Sequence, residues 1–141
     1  MSRVSTMFAV LALSVVAPFV AMADHPADSM MKKCAQACSA CQLECDSCFS
    51  YCLKMASEGK AEHKATAQLC ADCGECCKAC ATLCARNSPL SKHMLACCGK
   101  CVEECATACE KFPKDEHMAA CAKSCRDCAK MCMEMSKHDH K

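Results

Sequence analysis

Between Cys34 and Cys52 the chain reads CAQACSACQLECDSCFSYC, with cysteine at 34, 38, 41, 45, 48 and 52. The steps alternate between four and three, which is the repeat of one face of an α-helix. Strand alternation needs steps of two, and a zinc knuckle shows tight cysteine pairs separated by a gap. This stretch therefore predicts a helix of about five turns or more, carrying a continuous stripe of thiols where leucine would ordinarily lie.

Three later segments repeat the pattern. The second carries Cys70, Cys73, Cys77, Cys80 and Cys84, flanked by Cys76. The third carries Cys98, Cys101 and Cys105, flanked by Cys97 and Cys109. The fourth carries Cys121, Cys125, Cys128 and Cys132. Extended outward, the stripes meet Met31 and Met55, then His63 and Thr66, then Met94 beside His93, then Met118 and Met135. Met31, Met94 and Met135 are expected to gather at one end, near His93 and His138. Met55, His63 and Met118 are expected at the other, so thioethers and imidazole close a tube of thiols. His63 and His93 are the candidate entrance ligands, while His117 lies off the stripe and His25, His138 and His140 are expected in solvated tails.

Breaks between the segments define the elements that must hold these stripes. Gly59 in SEGKAE, Asn87-Ser88-Pro89 and Phe112-Pro113-Lys114-Asp115 interrupt the helical pattern. Helices are predicted over about 29–57, 61–86, 89–111 and 115–136. Ser88 followed by Pro89, and Asp115, are start signals for the third and fourth. Short linkers make successive helices antiparallel neighbours. The predicted fold is all-α, an antiparallel up-down-up-down four-helix bundle with a cysteine-lined core, over residues 29–136.

Composition supports helices and excludes some functions. The whole chain has 141 residues, 21 cysteines, 11 methionines, three glycines and no tryptophan. Cysteine at this level in a short exported chain usually means a disulfide scaffold, but three glycines are too few for a loop-rich fold. The formal charge is +1, so no basic field points to nucleic acid. Arg3, an apolar run from Met7 to Val20, and Ala21-Met22-Ala23 form a secretory signal over residues 1–23. The apolar run is short for a membrane span and is interrupted by Pro18. Cleavage would leave a polar lead-in at 24–28, the bundle, a tail at 137–141 and no membrane association. The single arginine points to general secretion, and the expected location is the bacterial periplasm.

The sulfur must have a purpose beyond packing, because leucine would bury more apolar area at each position. Disulfides suit an oxidising compartment, but the cysteine count is odd and several facing thiols specify no unique pairing. Cys70, Cys73, Cys76 and Cys80 match an iron–sulfur spacing, yet Ala81 stands where the bacterial ferredoxin run has proline, and a helical period supplies no wrapping loop. Thiolate and thioether are soft ligands that select Cu(I), with zinc possible. About five Zn²⁺ on about 20 thiolates would bury about ten negative charges, at great cost. One Cu(I) per thiolate merely replaces a proton and leaves the core neutral. With bridging thiolates the capacity is on the order of 10–20 Cu(I) per chain.

The repeated steps Cys34–Cys38–Cys41–Cys45, Cys73–Cys77–Cys80–Cys84 and Cys121–Cys125–Cys128–Cys132, taken together over about 30–135, resemble the copper storage protein family. The resemblance implies a four-helix bundle storing many Cu(I) ions on inward thiolates, assembly into tetramers, and admission of ions at a His- and Met-lined end. The expected function is Cu(I) storage or buffering without catalysis, with a copper chaperone or a recipient copper enzyme as a partner. The competing readings are a disulfide-stapled helical structural or interaction protein, and a general soft-metal store for Zn, Ag or Cd.

Overall fold

The structure is a computed structural model describing residues 26–138, with side chains from 29 to 137. The expected signal sequence, Asp24 and His25 of the lead-in, the His138 side chain, His140 and the end of the tail lie outside the described residues, and the first helix already takes in Pro26, Ala27 and Asp28, expected as lead-in. Four α-helices make up the fold: α1 (Pro26–Ser57), α2 (His63–Ala85), α3 (Ser91–Cys109) and α4 (Glu116–His138). Each packs against the next, and α4 closes back on α1. Among the described residues the diagonal helices have no close backbone contact.

Sulfur contacts fix the register. Cys38 meets Cys132 and Cys128, Cys41 and Cys45 meet Cys125, and Cys48 meets Met118. The partner numbers fall on α4 as they rise on α1, so the two helices run antiparallel. Cys77 with Cys98 and Cys70 with Cys105 give the same relation between α2 and α3.

The helix ends have local causes. Gly59 sits at φ 93°, where Lys60 N–H donates to Met55 O and Gly59 N–H to Ala56 O. This left-handed cap satisfies carbonyls that α1 would otherwise leave open. Asn87, at φ 47°, closes α2 the same way, with Ser88 N–H donating to Leu83 O and Asn87 N–H to Cys84 O. Asp115 caps α4, its Oδ1 accepting from the N–H groups of His117 and Met118 at 3.0 and 3.2 Å. Regular α3 starts at Ser91, after a tighter turn in which Ser88 Oγ accepts from Leu90 N–H and Ser88 O from Ser91 N–H. A similar tight turn, His63 N–H to Lys60 O, delays α2 until His63.

The core is a cysteine column edged by small residues. Ala35, Ala67, Ala81, Ala106, Ala108, Ala122 and Ala129 are buried alongside the thiols. On the outside, Arg126 of α4 ties down α3 through Glu103, Glu110 and the Thr107 hydroxyl. Such an exposed link adds orientation more than stability.

Gly99 on α3 faces α4. A Cβ there would lie 3.5 Å from Met133 Cγ and 3.7 Å from Cys132 Cβ, which is ordinary contact. Alanine would also relieve the helix of glycine's extra backbone entropy, about 0.5–1 kcal/mol. Gly99→Ala is therefore expected to raise the thermal midpoint of the reduced protein by roughly 4 °C. A fall in midpoint by calorimetry or circular dichroism would mean that α3 and α4 have no room to spare at this point.

Candidate metal centre

Eighteen of the 21 cysteines are buried. On α1 the buried set is Cys34, Cys38, Cys41, Cys45, Cys48 and Cys52; on α2 it is Cys70, Cys73, Cys77, Cys80 and Cys84. On α4 it is Cys121, Cys125, Cys128 and Cys132. All of these lie on the stripes drawn from spacing.

The third helix departs from that drawing. Its buried seam is Ser91, Leu95, Cys98, Val102, Cys105 and Cys109, not Met94, Cys98, Cys101 and Cys105. Leu95 and Val102 bury more apolar area than a thiol does, and they turn the helix by one residue. Cys109, expected on the flank, joins the core. Cys97, expected on the flank and counted among the metal ligands, is exposed; Cys101, expected in the seam, and Cys76, expected on the flank, are half-buried.

The buried thiols form sets in which every sulfur lies within 4.8 Å of the others. Cys38, Cys98, Cys128 and Cys132 form one; Cys41, Cys77 and Cys128 a second; Cys41, Cys45, Cys73 and Cys125 a third. Cys45, Cys105, Cys121 and Cys125 form a fourth, and Cys48, Cys70, Cys109 and Cys121 a fifth. Consecutive sets share members: Cys128, then Cys41, then Cys45 with Cys125, then Cys121. The result is one unbroken column of sulfur. Contacts between helices are 3.7–3.9 Å, a gap that one soft ion with metal–sulfur bonds of about 2.3 Å can span.

Burial opposes ionisation of thiols in the interior of the column, Cys38, Cys73 and Cys125 among them. Cys52 is pushed up to about 12, by burial first and then by neighbouring Cys48. A cation bound by such a thiol takes the place of its proton.

Both ends of the column are closed. Met118 is fully buried, and its Sδ accepts from the thiols of Cys48 and Cys52 at 3.6 and 3.7 Å. Met55 is buried at the same end, with Lys60 Nζ 3.4 Å from its Sδ. His63, on the adjacent turn of α2, is 4 % exposed. Neither of its ring nitrogens has a hydrogen-bond partner among the described residues. Glu62 Oε1 is 4.0 Å from Nδ1, too far for a hydrogen bond. Phe112 stacks on the imidazole at 4.2 Å, and Tyr51 meets it edge-on at 6.3 Å. Outside lies an open cleft of about 1000 Å³, lined among others by Tyr51, Lys60, Glu62, His63, Asp115 and His117.

At the opposite end Met135 and Leu95 are buried, while Met31 and Met94 are half-buried against the core. His93, a candidate entrance ligand by sequence, points into solvent. Among the described residues, the end at His63 is the one that carries a buried imidazole.

Sequence reasoning missed the aromatic surround of His63. Tyr51 donates to Asp115 Oδ2 at 2.5 Å and stacks on His117 at 4.5 Å. That hydrogen bond, with burial, pushes the Tyr51 phenol up to about 12. Asp115 feels burial pushing its pKa up, but the hydrogen bonds from Tyr51 and from two backbone N–H groups prevail and hold it low. The available signal was the pairing of the one tyrosine with the cap of α4, which spacing alone does not reveal.

The family model described as copper storage protein matches residues 27–137. No curated protein and no solved structure matches the chain.

Two outcomes are expected at the closed end. An unpartnered buried polar group costs about 1–3 kcal/mol, so His63→Phe, seated between Phe112 and Tyr51, should raise the midpoint of the metal-free protein. An unchanged or lower midpoint would mean that the imidazole is already satisfied. Asp115→Ala removes a helix cap worth about 1 kcal/mol. The native carboxylate has a lowered pKa, so it stabilises the fold above about pH 4 and loses that effect as pH falls through its folded value. The midpoint gap between the two proteins should therefore narrow on acidification, and a gap that widens below pH 4 would contradict the assignment.

Proposed function

Because the chain belongs to the copper storage protein family, we propose that it stores Cu(I) on the buried thiolates of the column, as an exported reservoir and not as a catalyst. The observation that carries this reading is the sharing of sulfurs between consecutive sets. A thiol common to two sets cannot serve two separate tetrahedral zinc sites without bridging them. Bridging is natural for a soft monovalent ion that needs only two or three sulfurs.

Charge supports the same choice. Eighteen buried cysteines can release about one proton for each Cu(I) taken up and remain neutral, whereas four-thiolate Zn²⁺ sites would leave net negative charge in the core. Capacity is then on the order of 10–20 ions. Disulfide stapling is disfavoured by the same sharing, since Cys38 lies 3.7 Å from both Cys128 and Cys132 and no pairing is singled out.

His63 is the proposed gate ligand. A neutral imidazole is a good ligand for copper through its one lone-pair nitrogen, and neither nitrogen of this ring, which lines the cleft, has a hydrogen-bond partner among the described residues. Met31, Met94 and Met135 would line the opposite end. Export rests on Arg3, the apolar run and Ala21-Met22-Ala23; among the described residues no helix is long and apolar enough to cross a membrane. Assembly into tetramers and exchange with a copper chaperone or a recipient copper enzyme complete the proposal. The exposed Leu43, Leu53, Leu90 and Met133 offer apolar surface for assembly.

Anaerobic titration of the reduced protein with Cu(I), against a chromogenic Cu(I) chelator, tests the reading. Tight uptake of more than about ten ions per chain is expected. Saturation at one to four ions would exclude a store and return the sulfur to a disulfide role.

A further inference from the structure

Three cysteines are not buried: Cys76, Cys97 and Cys101. They lie together. Cys77 faces Cys98 and Cys70 faces Cys105 across the α2/α3 interface. That register carries Cys76 to a point between Cys97 and Cys101, which are one turn apart on α3. The Cys76 thiol interacts with both, and Cys101 interacts in turn with Cys73. Cys73 belongs to the column, in the set with Cys41, Cys45 and Cys125. A graded line of sulfur therefore runs from exposed Cys97, through half-buried Cys76 and Cys101, to the middle of the core.

Elsewhere the column offers no thiol to solvent. At one end it is covered by Met118 and His63, and at the other Cys34 and Cys84 are buried. Thioether and imidazole bind Cu(I) as neutral ligands and, unlike a thiol, release no proton to the carrier sulfur that they would displace. Exchange of Cu(I) between thiolates proceeds by adding a sulfur before one is lost, so it begins where a protein thiol can be approached. Among the described residues that place is the α2/α3 face.

We propose that Cys76, Cys97 and Cys101 form a side port, a Cu(I) transfer site of soft thiolates that hands ions between a thiol carrier and the column through Cys73. The inference rests on the Cu(I)-storage reading. In the uptake direction Cu(I) arrives held by two carrier thiolates. A bond from Cys97 sulfur forms as one carrier bond breaks, and the Cys97 proton passes to the released carrier sulfur. Cys76 or Cys101 then replaces the second carrier sulfur in the same way. Copper remains Cu(I) throughout, and the carrier leaves with both thiols protonated. In the onward step Cys73 and then a second thiol of its set each bond to Cu(I) as one port bond breaks, their protons pass to the two released port sulfurs, and the port is free again.

The test compares wild type with the Cys76→Ser/Cys97→Ser/Cys101→Ser variant and with Cys97→Ser alone. Cu(I) is presented anaerobically as its glutathione complex, and uptake is followed by growth of the thiolate-to-Cu(I) absorption. Total capacity is titrated separately. The triple variant should lose no more than about three ions, one per missing thiolate, while its uptake rate falls on the order of tenfold. Cys97→Ser, at an exposed position that leaves the core untouched, should slow uptake in the same direction. Unchanged rates in both variants with full capacity would overturn the port and leave storage standing. A wild-type capacity of only a few ions would overturn the storage reading and the port with it. Circular dichroism of the variants confirms that the bundle is intact.

Discussion

The distance between helices in this bundle is set by sulfur touching sulfur. Contacts across the core are between thiols 3.7–3.9 Å apart, and alanine or glycine lies on either side of them. A thiol is small, so four helices can close around it without leaving a void, but it buries little apolar surface. The fold therefore obtains its shape from one residue type and must find stability at the margins. Leu95, Val102 and Met118, with Met55 and Met135 at the ends, are the larger apolar side chains placed in the core, and two of them occupy the seam of α3. The left-handed caps at Gly59 and Asn87 and the Asp115 cap serve the same end, because a core of thiols leaves little surplus to offset unsatisfied helix termini.

The same economy accounts for the contrast between the two ends. Closing a column of weak S–H donors requires groups that exclude water without demanding strong hydrogen bonds. Met118 does so while accepting from Cys48 and Cys52. His63 does not: it is held by Phe112 and Tyr51 with both nitrogens unpartnered. A buried imidazole in that condition costs stability, and positions that cost stability are where functional constraint outweighs packing. The cost is understandable if the ring has a ligand to meet during loading.

Much of this was legible in the chain. The four-and-three steps from Cys34 to Cys52 specify a helix and its buried face together, because the same residues carry both signals. The stripe of α2 from His63 to Cys84 and that of α4 from Met118 to Met135 read equally directly. Helix α3 did not. Its cysteines at 97, 98, 101, 105 and 109 admit two seams one residue apart, and sulfur content cannot choose between them. Apolar area chooses, through Leu95 and Val102. Cys97 and Cys101 are displaced outward by that choice and Cys109 inward. The Tyr51–Asp115 contact was beyond reach for another reason: it joins residues 64 positions apart whose meeting depends on the register of α1 against α4.

The rotation of α3 has a chemical consequence. Had the seam followed Met94, Cys98 and Cys101, the column would have held Cys101 in place of Cys109, and Cys101 would not reach the surface beside Cys76. Instead Leu95 and Val102 take the interior, and Cys97 and Cys101 come to face Cys76 at the surface. A sealed column of shared thiolates would hold Cu(I) firmly, since an ion leaving one set can rebind in the next. Firm holding and ready exchange are opposing requirements on the same ligand type. The bundle separates them in space, with 18 thiols buried and three left within reach of solvent. One residue's difference in helix phase is enough to make that division.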